Sequence, residues 1–313
     1  MRTANERLRP GDLVEVRSPH EILQTLDSDG TLHRLPFMPE MIPFCGQRIR
    51  VAQTVLKTCA SGLPEGSTMR GFPDGSVVTL QGVRCTGADH DGCQKYCNIF
   101  WRQEWLKPVD SQAPAASAAQ SGAEELRARL KTKSGPDRYF CQASEILNVT
   151  RPLSKVERFS RSLDDLRAGN ASFLEMARRV SIWVFWKLRR MALGPYGKGT
   201  CQTTPAVTLD LQSGEHVMVK SMSSITATLN PGSYNRGLWF SPDMRLECGH
   251  EKTVYRHLER IIVDGTGEMR KMKNTVYLKD SFCSCPHVAF GGCPRREFVY
   301  WREIWLERSN SGK

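Results

Sequence analysis

The sequence predicts an α+β fold that is mainly β: two small β-barrel modules with Cys-rich loops, joined by a helical segment. Three observations predict it. One stretch of sequence occurs twice, short alternating strands broken by Gly, Pro and Asp fill both copies, and helical periodicity is confined to the part between them. The 313 residues, 40% of them hydrophobic, are enough for two or three domains.

The repeated stretch identifies a tandem duplication. Residues 11–51 align with residues 214–254 at a constant offset of 203, without a gap and with fourteen identities. At its centre both copies read Phe-x-Pro-acid-Met-x-x-x-Cys-Gly, in Phe37–Gly46 and Phe240–Gly249. Both then continue to a Trp-Arg segment, FWRQEWL in the first copy and YWREIWL in the second. The predicted modules span residues 1–108 and 201–313.

Each module can be followed element by element. It opens with an alternating strand, GDLVEV or GEHVMV, and Ser18 or Ser221 then caps a short helical turn. The central motif forms a turn that leads into the next strand. A hairpin follows, and the Trp-Arg segment closes the module.

The part between the modules has a different composition. Residues 109–122 are rich in Ala, Ser, Pro and Gln and predict a flexible linker, and residues 123–200 predict a helical segment. Ser154 and Glu157 form a capping box for a helix that ends at Gly169. Asn170 is expected to cap the next helix. The apolar stripe of that helix is expected to pack between the modules, with a membrane interface or a partner helix as alternatives.

The net charge of +11 is concentrated in the middle of the chain. Residues 1–122 carry 13 charges of each sign, residues 123–200 carry 16 basic and 8 acidic side chains, and residues 201–313 carry 15 and 12. A basic middle segment suits an acidic partner or membrane surface, although a solvated face is the commoner outcome. The N-terminal residues do not resemble a signal peptide, and the longest apolar stretch is far short of the ~20 residues that span a bilayer. The sequence therefore predicts a cytoplasmic protein.

In a reducing compartment the eleven cysteines indicate metal ligands rather than disulfides. Four thiolates suit tetrahedral Zn²⁺, so one zinc ion per module is expected. The candidate ligands are Cys45, Cys59, Cys85, Cys93 and Cys97 in the first copy and Cys248, Cys283, Cys285 and Cys293 in the second. The spare candidates are His90, His250 and His287.

Several of these assignments leave alternatives open. Cys45 and Cys248 fit core packing as well as metal binding. Cys85 aligns with either Cys283 or Cys285. Two further cysteines, Cys141 and Cys201, are isolated in the middle of the sequence and are interpreted as structural or incidental.

The aromatic segments and the acidic residue of the central motif are weaker candidates. A stacking platform for a ligand would use Trp101, Arg102, Trp301 and Arg302, but closure of the barrel core is the preferred interpretation. Glu40 and its counterpart Asp243 are expected to cap their turns rather than to act as acids or bases.

The whole pattern resembles an uncharacterised bacterial family in which an F-x-PEM-x3-CG segment, a Cys-rich loop and a terminal W-R-E-x-W-L recur. The matching residues are Phe37, Pro39, Glu40, Met41, Cys45, Gly46, Cys85, Cys93, Cys97, Trp101 and Trp105, and in the second copy Phe240 to Gly249, Cys293, Trp301, Arg302, Glu303, Trp305 and Leu306. The modules are also similar to SH3-like barrels. Neither resemblance implies an activity. The second copy has Glu297 where the first has Cys97, so two equivalent metal sites are not expected.

The sequence contains no nucleophile triad, P-loop or dinucleotide-binding glycine pattern. The leading prediction is therefore a non-catalytic, zinc-stapled scaffold that binds a protein or carrier partner. One alternative is a metalloenzyme with an open metal position in one module. Another is a nucleic-acid-binding protein, which the near-neutral first module disfavours.

Overall fold

The computed structural model describes residues 7–60, 68–109, 121–193, 197–283 and 294–309. The fold is mixed α/β, with 27% helix and 30% strand, and contains two curled half-barrel sheets. The chain forms two compact units. The first comprises residues 1–175, 262–270 and 293–295, and the second comprises residues 176–261, 271–292 and 296–313. The boundaries of the modules, the linker and the helical segment at residues 108, 122 and 200 were inferred from the sequence, and they stay predictions.

The described residues form short strands, helices and 3₁₀ turns. The strands are β1 Leu13–Val16, β2 Thr31–Leu32, β3 Leu35–Pro36, β4 Arg48–Thr54, β5 Thr58–Ala60, β6 Thr68–Gly71, β7 Val77–Arg84, β8 Asn98–Arg102, β9 Leu106–Pro108, β10 Lys133–Gly135, β11 Arg138–Tyr139, β12 Arg151–Pro152, β13 His216–Val219, β14 Tyr234–Asn235, β15 Leu238–Trp239, β16 Glu251–His257, β17 Arg260–Ile262, β18 Met269–Lys271, β19 Thr275–Phe282, β20 Phe298–Arg302 and β21 Leu306–Arg308. The helices are α1 Pro19–Leu23, α2 Ala123–Arg129, α3 Ile146–Val149, α4 Lys155–Ala168, α5 Phe173–Leu193 and α6 Met222–Thr226. The 3₁₀ turns are Pro39–Phe44, Gln103–Trp105, Pro242–Glu247 and Glu303–Trp305.

Each unit is built on one five-stranded antiparallel sheet. The first has the order β8-β7-β4-β1-β9 and the second the order β20-β19-β16-β13-β21. Equivalent strands carry the same register: β1 pairs Val14 with Ile49, and β13 pairs Val217 with Lys252. The repeated sequence therefore produces the same sheet twice, as expected for two copies with the same alternation of buried and exposed side chains.

A repeated aromatic cluster fills the concave side of each sheet. In the first unit the Phe37 ring meets the rings of Trp101 and Trp105 edge-on, with centroids 6.1 and 5.2 Å away. Phe240 makes the equivalent contacts, at 6.4 and 5.3 Å, with Trp301 and Trp305. All four Trp side chains are fully buried. In cores of this size, burying such large rings is the main contribution to the stability of the fold.

The helix-terminus predictions can be compared with the caps observed. Ser18 and Ser221 cap α1 and α6, and Ser154 and Glu157 form the capping box of α4, which ends at Gly169 in the left-handed conformation. The expectation for Asn170 is wrong. Ser172 Oγ accepts from the N–H of Glu175 in the first turn of α5, whereas the Asn170 side chain exchanges hydrogen bonds with the backbone of Thr54.

Helix α5 keeps the expected apolar periodicity, and side chains of its stripe are exposed. Leu174 is 80% exposed, Leu188 60% and Met191 75%. The expected packing between the modules stays a prediction. Among the described residues no helix is long and apolar enough to cross a membrane.

Candidate functional site

Four cysteine side chains line one small cavity of about 30 Å³ in the first unit: Cys85, Cys93, Cys97 and Cys141. Three of them were candidate ligands, and Cys141 was not. Cys85 directly follows β7 and Cys97 directly precedes β8, so they lie opposite each other, with the N–H of Cys85 donating to the carbonyl of Cys97 at 2.9 Å. The cavity has room for about one water molecule or ion.

Cys93 is placed by the tightly coiled loop between these strands. The carbonyl of Gly87 accepts from the N–H groups of both His90 and Gly92, each at 3.0 Å, and the N–H of Cys93 donates to the carbonyl of His90. Gly87 has a φ of +69°, and a Cβ there would lie 2.0 Å from the carbonyl oxygen of Cys93. The loop closes this tightly because residue 87 is a glycine.

Cys141 reaches the cavity because its neighbour is held against β8. The amide of Gln142 accepts from the N–H of Phe100 and donates to its carbonyl, both at 2.8 Å. The Gln142 side chain thus bonds to the edge strand β8 as a neighbouring strand would, and this places Cys141 beside the cavity. Sequence reasoning missed Cys141 because it is remote from the Cys-rich loop in the chain, and Gln142 carries no recognisable signal.

Burial raises the pKa of three of the four cavity thiols, which favours their neutral form. Burial raises the pKa of Cys85 well above its usual value, and it raises that of Cys141 to about 11. Burial also raises the pKa of Cys93, although its sulfur accepts the N–H of Ile262 at 3.3 Å. A charge on one thiol would disfavour charge on the next: Cys97 and Cys141 raise the pKa of Cys85, and Cys93 raises that of Cys141. Unassisted, these thiols are poor nucleophiles.

Glu40 and His90 form a buried ion pair beside the cysteines. His90 Nδ1 lies 2.6 Å from Glu40 Oε1, and its Nε2 lies 3.0 Å from the carbonyl oxygen of Phe140. Burial alone would lower the pKa of His90, but the hydrogen bond and charge of Glu40 outweigh it and raise that pKa. Burial likewise raises the pKa of Glu40, and His90 reverses the effect and lowers it. Both partners of His90 are hydrogen-bond acceptors and its pKa is raised, which favours an imidazolium that donates from both nitrogens.

This arrangement corrects the expectation for Glu40. Its carboxylate does not cap the 3₁₀ turn Pro39–Phe44; Oε1 accepts from His90 and from the N–H of Asp89. The other oxygen, Oε2, is buried without a hydrogen-bond partner among the described residues. The central motif of the first copy thus holds the Cys-rich loop in place.

A second buried charge cluster lies next to the cavity. Arg295 donates to both carboxylate oxygens of Asp264, at 2.7 and 3.0 Å, and Lys95 Nζ donates to the same carboxylate. All three side chains are at most 3% exposed. Burial raises the pKa of Asp264, but Arg295 and Lys95 outweigh it and hold that pKa far below its usual range. Lys95 also lines the cysteine cavity, which therefore has cations, Lys95 and His90, on its wall.

The remaining candidate cysteines of the first copy lie elsewhere. Cys45 is buried in the core, and burial raises its pKa to about 12. Cys59 lies in β5, where its carbonyl accepts from Arg295 at 2.9 Å. Neither lines the cavity described above.

Among its described residues, the second unit shows no equivalent set of thiols around a cavity. Cys248 and Cys283 pack against its core. The N–H of Cys283 donates to the carbonyl of Glu297 just as that of Cys85 donates to Cys97, which pairs Cys85 with Cys283 and Cys97 with Glu297. His250 is an exposed residue at the start of β16. Cys285, His287 and Cys293 lie outside the described residues. Cys201, outside the repeat, donates its thiol to the carbonyl of Ala227.

The Trp-Arg segments form part of the core. Trp105 and Trp305 donate from Nε1 to Thr25 and Thr228, at 3.1 and 3.0 Å. Arg102 donates to the carbonyl of His33 at 3.0 Å, and Arg302 to the carbonyl of Arg236 at 2.8 Å. Trp101 and Trp301 offer no exposed ring face, which agrees with the preferred core interpretation.

No protein-family model, curated protein or solved structure matches the chain. Among the described residues no three Cys, His, Asp or Glu side chains already stand in the arrangement that holds a metal ion. The chemistry present is a set of four cysteines around one cavity, with an imidazolium and an ammonium on its wall.

Proposed function

We propose that the protein is a non-catalytic scaffold whose first unit is stapled by one Zn²⁺, held by Cys85, Cys93, Cys97 and Cys141. The observation that carries the proposal is that these four side chains line one cavity of about 30 Å³. Four sulfur ligands in a tetrahedral set are the usual composition of structural zinc sites. The ion would draw the thiols inward by side-chain rotation, since they do not yet stand in ligand geometry.

The charges around the cavity support this composition. Zn²⁺ with four thiolates carries a net negative charge, which is costly to bury without compensation. Lys95 and Arg295 together exceed the single charge of Asp264, so this cluster leaves one net positive charge beside the cavity, whereas the charge of His90 is balanced by Glu40. Because burial raises the pKa of the thiols, zinc must displace their protons, so loading weakens as the pH falls.

The scaffold assignment rests on the chemistry of the same residues. His90 uses both ring nitrogens, on Glu40 and Phe140, and so has no free nitrogen to activate a thiol as a nucleophile. This favours a structural site over the metalloenzyme alternative. The expected protein or carrier partner stays a prediction.

We further propose that each five-stranded sheet is an SH3-like barrel. Numbered within a module, the strand order is fourth, third, second, first, fifth, and a 3₁₀ turn joins the last two strands. That order and that turn are typical of SH3-like barrels. Because Glu297 replaces Cys97 in the second copy, the zinc proposal is confined to the first unit.

The proposal is tested by the metal content of the full chain purified without added metal. We expect about one zinc per chain in the wild type and loss of most of it in Cys141→Ser. A zinc site made only of the Cys-rich loop and the central motif would be retained in that variant, so Cys141 discriminates between the two ligand sets.

Cys201→Ser is the matched control, since it removes a thiol from the second unit and should leave the zinc content unchanged. Circular dichroism of each variant shows whether it remains folded. Metal-free wild-type protein, or unchanged zinc in Cys141→Ser, would overturn the proposal.

A further inference from the structure

Helix α5 presents apolar side chains to solvent along one side, in two groups separated by Ala177 and Ser181. At 100° per residue, Val184, Phe185, Leu188 and Met191 lie on one side of the helix, and Phe173 and Leu174 begin the same stripe at its N-terminal end. Phe185 is 60% exposed, and the other five are also exposed. An exposed stripe of this length is unusual for a soluble surface and marks an interaction site.

The other side of the helix is the one that is fixed to the second unit. The guanidinium of Arg245, in the 3₁₀ turn Pro242–Glu247, lies 4.1 Å from the centroid of the Trp186 ring. Trp186 projects away from the exposed stripe on the helical projection, and Lys187 lies 4.9 Å from the Trp183 ring. The contact with Arg245 thus lies on the side of the helix opposite the apolar stripe, and the stripe faces outward.

Basic residues border the stripe on both edges. On the projection Arg178 and Arg189 lie along one edge and Lys187 along the other. In all, α5 carries five basic side chains and one acidic side chain, Glu175. An apolar stripe edged by Lys and Arg, with Trp and Phe beside it, is the pattern of helices that lie in a membrane interface.

We propose that α5 docks its apolar stripe onto the surface of an anionic lipid bilayer, parallel to the membrane plane. A bilayer accepts both features at once: acyl chains take Phe185 and Leu188, and anionic headgroups neutralise the flanking cations. A second copy of this helix would bring like charges together along both edges, which disfavours self-association through the stripe.

The test is flotation of the full chain with vesicles of phosphatidylcholine alone and of phosphatidylcholine mixed with phosphatidylglycerol. We expect the wild type to float with the mixed vesicles, to bind the neutral ones much more weakly, and to be released by high salt. Phe185→Ser/Leu188→Ser should weaken binding to the mixed vesicles about tenfold or more, since two exposed side chains lose their apolar burial. Arg178→Gln/Lys187→Gln should lower binding to mixed vesicles only.

Val207→Ser is the matched control, because it removes an exposed apolar side chain outside the helix. All of these positions are exposed, so the variants should fold, and circular dichroism confirms it. Absence of binding to mixed vesicles, or equal binding by Phe185→Ser/Leu188→Ser, would overturn the proposal. So would concentration-dependent dimerisation in light scattering that the same double variant abolishes.

Discussion

At the scale of single residues, the first unit is distinguished by ionisable groups buried in pairs. Glu40 and His90 are 2% and 1% exposed at their side chains, and their pKa values are shifted in opposite directions by the same contact. Neither shift can be inferred from the spacing of the two residues in the chain. The pair makes the stability of the unit depend on pH in a defined way.

We expect the stabilisation from this pair to be largest between about pH 4.5 and 6.5, the ordinary pKa values of the two groups. Below that window, stability falls as the pH drops towards the lowered pKa of Glu40, because the unfolded chain takes up a proton at this carboxylate that the folded state does not bind. Above it, stability falls as the pH rises towards the raised pKa of His90, because the unfolded chain releases a proton that the folded state retains. Urea unfolding of wild type and Glu40→Gln/His90→Gln across this range measures the difference.

His20→Gln, at an exposed histidine, serves as the control and should leave the profile unchanged. A difference between wild type and the double variant that stays constant from acid to alkaline pH would contradict the expectation.

At the scale of elements, the Cys-rich loop depends on the conformation of one glycine. Gly87→Ala should destabilise the first unit by about 1–2 kcal/mol from the left-handed backbone and by a further ~1–3 kcal/mol from the clash with the Cys93 carbonyl. Gly82→Ala is the matched control, because Gly82 has a similar φ of +72° but open space around its Cβ position. Chemical unfolding of both variants measures the two costs.

If Gly87→Ala and Gly82→Ala lower the free energy of unfolding by the same amount, the loop is not closed against Cys93 as described. The two glycine variants also test the proposed zinc site. A displaced Cys93 should lower the zinc content of Gly87→Ala, whereas Gly82→Ala should retain it.

At the scale of the whole molecule, the helices α2, α3 and α4, which follow the first module, belong to the first unit. Lys57 Nζ lies 2.7 Å from Asp165 Oδ2 in α4 and donates to Ser162, and both charged side chains are buried. Because Asp165 would be left buried without a counter-charge, Lys57→Met should cost about 3–5 kcal/mol. Lys57→Met/Asp165→Leu should recover most of that loss, as replacing both partners with apolar residues usually does. Urea unfolding at neutral pH compares the variants.

Lys155→Met, at an exposed position in the first turn of α4, is the control for the loss of a lysine and should have little effect. Equal destabilisation by the single and double variants would show that the ion pair does not join α4 to the module.

The sequence by itself determined the duplication, the paired strands and most helix ends. These depend on local spacing: alternation in β1 and β13, serine caps at Ser18, Ser154 and Ser221, and a glycine at the end of α4. The paired sheet orders follow from the repeat, because equal patterns of buried side chains demand equal registers. Three of the four cavity cysteines were also visible, since Cys85, Cys93 and Cys97 lie within one hairpin loop.

Only the tertiary structure decided which cysteines share a cavity and what surrounds them. Cys141, the Glu40–His90 pair and the Asp264 cluster join residues far apart in sequence, and each is held by a long-range hydrogen bond that leaves no local pattern. The exposure of α5 is likewise a tertiary result. Periodicity shows that a helix has an apolar face, but what that face meets depends on how the opposite face is held.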